Sequence, residues 1–251
     1  MSRGSGRRGA PRGGSPRSGK KPSQPRKRTP APAARKPATP PEPLPVLRLG
    51  FVRGVAPSKW AERWRRAVRE QPLELVPVGI DEVEAARREV DVLLERTGPG
   101  EKPQGSDGEA PARHALHLYE ESVALVVTAD HELAKQPEIG LEELSLITLL
   151  DHPDHHPGWP AAQPWQDPTW IPSDAETTLE MVATGLGGAL MALPLARHLS
   201  GKRTHAVIPV VASDSPLPGT GIWATWQVER DGNDVQRLIG VLRGRTARSS
   251  R

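Results

Sequence analysis

A short stretch of the sequence concentrates side chains that could bind a metal. It contains Asp151, His152, Asp154, His155 and His156. Imidazole and carboxylate groups are ligands for divalent metals such as zinc. A metal site also needs a fixed geometry and surrounding hydrogen bonds that orient its ligands. Because three prolines lie in and beside this stretch, it is typical of an irregular exposed loop, and we predict that no metal binds there.

The other motifs that could support catalysis are incomplete. Residues 131–135 (HELAK) begin like the metalloprotease motif H-E-x-x-H but have Lys135 in place of the second histidine. Residues 185–190 are not a dinucleotide-binding G-x-G-x-x-G, because Leu190 stands in place of the last glycine. No serine between residues 46 and 242 lies in a G-x-S-x-G nucleophile elbow, and the chain has no cysteine. The sequence therefore predicts a protein that is not an enzyme and uses no cofactor.

Charge is distributed unevenly along the chain. Residues 1–45 carry 12 Lys or Arg against one Glu, together with 11 Pro. With almost no large apolar side chain, this segment cannot offset the entropy of ordering, and we predict that it is a disordered basic tail. Residues 46–242 carry a net charge of −11, and the basic end at residues 246–251 is predicted to be flexible. The basic overall balance therefore does not make the folded part a nucleic-acid-binding domain.

These charges and the hydropathy restrict the partners. The cations of residues 1–45 could neutralise phosphates, so weak, non-specific nucleic acid binding by this tail is one hypothesis. Since the tail has no aromatic residue on which bases could stack, an inert extension is the alternative. No stretch approaches 18 apolar residues, and no apolar signal region follows the basic N-terminus. We therefore expect no membrane span and a cytoplasmic location.

Alternating strands and helices are predicted along most of the chain. Residues 46–52, 73–78 and 90–95 are rich in β-forming residues, and helices are predicted between them, from Pro57 and over 81–89. This order implies right-handed crossovers and a parallel sheet, and hence an α/β fold. Further strands are predicted at 114–119, 122–128, 146–150, 189–193, 205–210 and 222–227, and further helices at 141–144, 174–184, 194–199 and 231–242.

Several segments resemble the effector, or substrate-binding, domain of LysR-type transcription regulators. The most specific motif is VATGLG at residues 182–187 followed by Leu193-Pro194, which is similar to V-A-A-G-x-G followed by L-P. The other similar segments are LRLGFV at 47–52 with Pro57-Ser58, EVDVLL at 89–94 and YEESVALVVTADHELA at 119–134. The C-terminal residues 238–251 resemble free-standing actinobacterial proteins that consist of this domain.

The resemblance covers residues 46–245 and implies a two-lobed periplasmic-binding-protein type 2 fold, in which each lobe is a mainly parallel sheet flanked by helices. Lobe one would comprise about 46–125 and 218–243, and lobe two about 126–212. The resemblance also implies a metabolite sensor with a transcription-regulatory role, with homodimerisation through this domain as a further expectation. Residues 1–45 offer no counterpart of the family's winged helix-turn-helix, so we expect the sensor half without the DNA-reading half.

Two predicted helix N-termini would face the cleft between such lobes. Each offers free N–H groups and the positive end of a helix dipole, which suit a small molecule with an anionic group. Lys59 would add positive charge, whereas Asp174 would oppose an anion, and a plain helix cap explains any single residue nearly as well. The candidate ligand-binding residues are Val55, Ala56, Ser58, Lys59, Ser173 and Asp174, to which the resemblance adds Gly187 and Pro194.

Two hypotheses for the function follow from the sequence. The first is a regulatory protein that binds a small metabolite between its lobes. The second is a nucleic-acid-associated interaction protein, in which the acidic domain is a scaffold and the basic tail binds phosphates without sequence preference.

Overall fold

Two β-sheets, each flanked by helices, build the part of the chain that the structure describes. The structure is a computed structural model that describes residues 44–211 and 216–244. Nearly all of the predicted disordered tail, and the predicted flexible end at 246–251, lie outside the described residues. The described residues belong to one compact unit.

The strands and helices follow one another in an alternating order. The strands are β1 (Leu47–Val52), β2 (Leu73–Val78), β3 (Val92–Thr97), β4 (Arg113–Glu121), β5 (Val123–Thr128), β6 (Ala189–Ala192), β7 (His205–Pro209) and β8 (Thr220–Gln227). The helices are α1 (Ser58–Ala67), α2 (Val83–Glu89), α3 (Leu141–Leu144), α4 (Ala175–Ala183), α5 (Leu193–Leu199) and α6 (Asn233–Leu242).

Lobe one is built on a five-stranded sheet with the strand order β2-β1-β3-β8-β4. Strand β1 pairs in parallel with β2 and β3, since α1 and α2 return the chain to the same edge of the sheet. Helix α1 packs on the sheet through the stripe of Trp60, Trp64 and Val68 that recurs every four residues. Trp64 is fully buried, and its indole N–H donates a hydrogen bond to the carbonyl oxygen of Gln71 at 2.9 Å. The apolar stripe is therefore core packing.

Lobe two is built on a three-stranded sheet with the order β6-β5-β7, and both pairings are antiparallel. The central strand β5 is apolar along its length because both of its faces are covered. Its side chains alternate between two clusters, so that Leu125 packs with Leu144 of α3, whereas Val126 packs with Leu179 of α4. A strand that is buried on both faces carries a continuous apolar run rather than an alternating one.

The chain enters lobe two between β4 and β5, at Ser122, and the start of β8 lies in lobe one. The family resemblance implies that the boundary between lobe one and lobe two lies at about residue 125. Two polar residues flank the crossings, Glu121 at the end of β4 and Thr220 at the start of β8, and the Thr220 hydroxyl donates a hydrogen bond to the Glu121 carboxylate at 3.1 Å. This bond ties the two crossing strands together.

The predicted α/β class and the division into two lobes are confirmed, but the mainly parallel sheets are wrong. In lobe one, β8 pairs antiparallel with β3 and β4, and in lobe two parallel pairing occurs in the described residues only as isolated bridges. Hydrophobic periodicity does not encode strand direction, and β8 returns from lobe two rather than through a crossover helix. The predicted strand at 146–150 is also wrong, since only Leu149 and Leu150 form bridges and Leu146 is exposed.

At Gly187, two segments of lobe two lie close together. A Cβ atom added at Gly187 would lie 2.5 Å from the carbonyl oxygen of Thr148. The neighbouring Gly188 N–H donates a hydrogen bond to the same oxygen at 2.9 Å, so this backbone cannot move away freely. The absence of a side chain at Gly187 is therefore required by backbone packing.

We predict that Gly187→Ala lowers the free energy of unfolding by about 1–3 kcal/mol, because the added methyl group overlaps the backbone oxygen of Thr148 and crowds the Leu150 side chain. Gly240→Ala is the matched control, since Gly240 lies inside α6 and a Cβ there meets no atom within 4 Å. That substitution should raise stability by about 1 kcal/mol through helix propensity. Urea unfolding of both variants measures the effect, and equal stability changes would contradict the packing argument.

Candidate functional site

A cavity of about 380 Å³ lies between the lobes. Its lobe-one wall comes from the carboxyl ends of β1, β2 and β3 and from α2. Its lobe-two wall comes from residues 153–159 and from the junction of β6 and α5. In open α/β sheets, ligands bind in the crevice beyond the carboxyl ends of the strands, and this cavity has that position.

The lobe-one wall is held by a buried charge network around Glu95. The Glu95 side chain is 2% exposed, and it accepts hydrogen bonds from Arg87 Nη2 at 2.8 Å and Arg113 Nη2 at 2.6 Å. Burial alone would lower the pKa of Arg87, but its hydrogen bonds to Glu95 and Glu84 raise that pKa above its usual value. Two cations around one buried carboxylate make this wall rigid. The Arg87 guanidinium also donates hydrogen bonds to the side chains of Glu84 and Gln104.

A second network joins the lobes. Arg96 donates hydrogen bonds to the buried carboxylate of Glu121 from Nε at 2.6 Å and from Nη2 at 3.2 Å, and its Nη1 donates to the carbonyl oxygen of Arg53 at 3.0 Å. The Arg53 side chain in turn forms an ion pair with Glu176 in the first turn of α4. Arg53 therefore links the loop after β1 to the second lobe.

The lobe-two wall is the histidine-rich loop. His152 is 3% exposed, and its Nε2 lies 2.8 Å from the carbonyl oxygen of Leu190. His155 Nε2 lies 3.0 Å from the carbonyl oxygen of Pro160, and the Trp159 indole N–H donates to that of Pro218 at 2.8 Å. Burial lowers the pKa of both His152 and His155, so both are neutral at pH 7.

The loop differs from the exposed segment that its prolines predicted, because His152 and Trp159 anchor it in the core of lobe two. Within residues 44–211 and 216–244, no three or more His, Asp or Glu side chains are grouped so that they could hold a metal ion. The loop instead forms a wall of the cavity.

None of the eight predicted ligand-binding residues lines the cavity. Val55 is buried in the core of lobe one, while Ala56, Ser58 and Lys59 are exposed at the start of α1. Ser173 is exposed before α4, Gly187 packs against Thr148, and Pro194 lies in the first turn of α5. Their role as ligand contacts stays a prediction that the position of the cavity does not support.

Asp174 explains why the N-terminus of α4 is not an open anion site. Its carboxylate accepts hydrogen bonds from the Thr177 backbone N–H at 2.8 Å and from the Thr177 hydroxyl at 2.9 Å. The backbone hydrogen bond from Thr177 is the main cause that lowers the pKa of Asp174, so its carboxylate is ionised at neutral pH. The helix therefore already holds a negative charge at this end.

The residues that wall the cavity carried a signal in the sequence. Strand β3 reads VLLERT, and the adjacent charges Glu95 and Arg96 interrupt an apolar strand near its carboxyl end. Charged side chains are seldom fully buried unless they are paired, so such an interruption indicates a buried network. The partners Arg113 and Glu121 lie on another strand, and no local pattern in the sequence connects them with β3.

No helix of the described residues is long and apolar enough to cross a membrane.

The family model for the LysR substrate binding domain matches residues 42–247 of the chain. Comparison with the curated proteins found no match.

Three similar solved structures share the fold. The reduced regulatory domain of OxyR from Pseudomonas aeruginosa is 18% identical, with a TM-score of 0.51, and the match covers 80% of this chain and 96% of that chain. The BenM effector binding domain with its effector benzoate is 18% identical, with a TM-score of 0.52 and coverage of 80% and 91%. A cysteine-to-serine mutant of Corynebacterium glutamicum OxyR with bound hydrogen peroxide is 18% identical, with a TM-score of 0.53. Here the match covers 80% of this chain and 66% of that longer chain.

We predict that the free energy of unfolding falls as the pH drops from about 6.5 to about 5. An unfolded histidine has a pKa near 6.5, and burial depresses the pKa of folded His152, so the unfolded state takes up the proton more readily. One such group contributes a slope of at most about 1.4 kcal/mol per pH unit. His152→Gln should flatten this slope, even if the variant is less stable at every pH.

His198→Gln is the matched control, because His198 is exposed on α5. Its thermal stability should follow the same pH profile as the unaltered protein. A His152→Gln profile as steep as that of the control would contradict the assignment of His152 as a buried neutral group.

Proposed function

Since the chain belongs to the LysR substrate binding domain family, we propose that it is a sensor that binds a small metabolite between its lobes and acts in transcription regulation. Its fold is the type 2 periplasmic-binding-protein fold. This proposal rests on the interlobe cavity beyond the carboxyl ends of β1, β2 and β3. Its volume of about 380 Å³ lies in the range of sites for small organic molecules.

Two of the similar solved structures hold small molecules, hydrogen peroxide in the Corynebacterium glutamicum OxyR mutant and benzoate in the BenM domain. Those molecules belong to those proteins. They support a sensor role here because the fold is shared, while the side chains of this chain decide its own ligand.

The arrangement of the lobes supports a way to convert binding into a signal. Two crossings of the chain join the lobes, and the Arg53–Glu176 ion pair adds a contact at the protein surface. A ligand that touches both walls binds best at one separation of the lobes, and it therefore shifts the population toward that arrangement. A partner chain that contacts both lobes would respond to this shift.

The polar groups of the cavity support binding rather than catalysis. The cavity hydroxyls belong to Thr97 and Thr220, and they donate to the carbonyl oxygen of Glu101 and to the carboxylate of Glu121. In the part of the chain that the structure describes, neither forms a hydrogen bond with a histidine that could act as a base. We therefore keep a non-enzymatic role in the proposal.

Two further expectations belong to the proposal: a homodimer through this domain and a cytoplasmic location. The alternative of non-specific nucleic acid binding rests on the basic tail, which lies almost wholly outside the described residues. No similarity supports that alternative, and we do not propose it.

We predict that Ile80→Trp weakens metabolite binding by at least about tenfold, because Ile80 lines the cavity and a larger side chain fills it. A thermal-shift screen against metabolites of all charge types identifies the ligand. A bound ligand raises stability by about 2.7 kcal/mol at 100 times its dissociation constant. The variant should lose this shift while its own melt stays cooperative.

Ile171→Trp is the matched control. Ile171 is exposed to a similar degree, 48% against 43% for Ile80, but it does not line the cavity. The control should bind as the unaltered protein does. Equal binding by both variants would show that the ligand lies elsewhere, and a screen without any stabilising compound would contradict the sensor function itself.

A further inference from the structure

The loop at residues 151–162 supplies the lobe-two wall of the cavity, and this described segment contains no helix or strand. Its two ends are held together, because the Gln163 N–H donates a hydrogen bond to the carbonyl oxygen of Leu149 at 2.7 Å. Among residues 44–211 and 216–244, the loop forms backbone-to-backbone hydrogen bonds only within itself. The loop can therefore move away from the cavity without breaking the pairing of either sheet.

Three side-chain hydrogen bonds attach this loop to its surroundings. The imidazole Nε2 of His152 lies 2.8 Å from the carbonyl oxygen of Leu190 in β6. The indole N–H groups of Trp159 and Trp165 each take part in a hydrogen bond to a carbonyl oxygen at 2.8 Å. His152 and Trp159 are also buried in lobe two. Of these three anchoring side chains, only the imidazole of His152 can gain a charge near neutral pH.

The surroundings of His152 hold its ring in the neutral form. The Leu190 carbonyl oxygen can only accept, so the hydrogen of the neutral ring is on Nε2 and Nδ1 is an acceptor. That Nδ1 atom is buried, and none of the described residues donates a hydrogen bond to it. A proton added there would create a buried N–H without an acceptor, on a ring that had become a cation. The closed loop therefore excludes the protonated ring.

His155 repeats this arrangement one turn further along the loop. Its Nε2 lies 3.0 Å from the carbonyl oxygen of Pro160, and its Nδ1 is likewise buried without a partner among the described residues. The rings of His152 and His155 meet edge to face with centroids 5.7 Å apart, so two charged rings would repel each other. Burial is the main cause that lowers the pKa of each ring below its usual value. A solvated loop therefore takes up protons more readily than the closed one.

Nearby charges do not offset this effect of burial. Asp151 and Asp154 favour the protonated form of His152, whereas His155 opposes it. On His155, Asp151 and His156 act in the same opposed way. Within the described ranges, the only carboxylate within 4.0 Å of a histidine nitrogen belongs to Asp231 beside His114, so neither loop imidazole has a close anionic partner.

The elements around the loop add no buried charge beside the two rings. Strand β6 reads ALMA and has no ionisable side chain. The two helices that pack on β6 carry their ionisable side chains at exposed positions: Glu176 and Glu180 of α4, and Arg197 and His198 of α5. Across the cavity, lobe one presents Arg53, Glu101 and the ion pairs of Arg87 with Glu95 and Arg96 with Glu121.

We propose that residues 151–162 are a lid on the cavity, which the neutral rings of His152 and His155 hold closed and which opens as the pH falls below about 6.5. This inference rests on the proposed sensor function, because it adds a pH control to the same site. A protonated ring is stable where water reaches it, so protonation shifts the loop toward its open arrangement. Acidification therefore removes the wall that contains Trp159.

The size and sign of the effect follow from proton linkage. The open loop binds protons at each imidazole below about pH 6.5, whereas the closed loop does so only at lower pH. The ratio of open to closed loop therefore rises by at most about tenfold per pH unit for each histidine as the pH falls. Above about pH 6.5, both arrangements hold neutral rings and the ratio stays constant.

The test follows the indole N–H groups of Trp159 and Trp64 by NMR in the full chain without ligand. Trp159 donates from the loop to Pro218, whereas Trp64 donates to Gln71 in the core of lobe one. Their exchange with solvent, relative to that of free tryptophan at the same pH, gives the protection of each group. Protection of Trp159 should fall at least about tenfold between pH 7.5 and 5.5, and it should lie at least about tenfold below that of Trp64 at both pH values.

A chain that carries both His152→Gln and His155→Gln removes the two titrating rings, while each glutamine Nε2 can still donate to a carbonyl oxygen. The change in Trp159 protection between the two pH values should shrink to less than about twofold. His198→Gln is the matched control, since His198 is exposed on α5, and it should keep the full change.

The ring nitrogens of the unaltered protein supply a second measurement that needs no variant. Their NMR shifts should show His152 and His155 mainly in the neutral Nε2–H form at pH 6.5, where an unperturbed imidazole is about half protonated. Half-protonated rings at that pH would overturn the inference. So would equal protection of Trp159 and Trp64, since the loop would then open only with the whole domain, and so would a pH change that persists in the double variant. The metabolite screen with Ile80→Trp decides separately whether the cavity is a ligand site.

Discussion

The carboxylate of Glu121 is fully buried at the end of β4, one residue before the chain leaves the first lobe. Charged groups in this position need partners, and Glu121 obtains two of them from other parts of lobe one. Arg96 reaches it from β3 and Thr220 from the start of β8. Both crossings between the lobes are therefore hydrogen-bonded, through Glu121, to β3, which lines the cavity. Because Arg96 also holds the backbone of Arg53, the same interaction positions the residue that contacts α4.

The same ion pairs also determine which charged groups line the cavity. Two of the arginines that line it, Arg87 and Arg96, pair with the buried carboxylates of Glu95 and Glu121, and these donors are not available to a ligand without a rearrangement. The fold is shared with proteins that bind benzoate and hydrogen peroxide, and in a shared fold the side chains at the edge of the sheet decide the chemistry of a site.

Much of the fold could be predicted from the sequence, because local patterns encode it. The spacing of Trp60, Trp64 and Val68 indicated a helix packed on a sheet, and the predicted bounds of β2 and α3 agree with the structure. Strand direction could not be predicted, since β8 reaches its place beside β3 and β4 through long-range pairing. The LysR-like motifs led to the right family, whereas the ligand contacts expected at the helix N-termini stay a prediction that the position of the cavity does not support. Helix N-termini are visible in a sequence, whereas the pairing of Arg96 with Glu121 is visible only after folding.

The claim that the cavity beyond β1, β2 and β3 is the ligand site can be tested most directly by a hydrogen-exchange footprint. Backbone amide exchange is compared between the free protein and the protein saturated with its most stabilising compound. We expect slower exchange at residues 95–98 and 155–159, which lie on opposite walls of the cavity, and no change at residues 55–59 and 173–175. Protection confined to residues 55–59 and 173–175 would contradict the account and return the ligand to the helix N-termini.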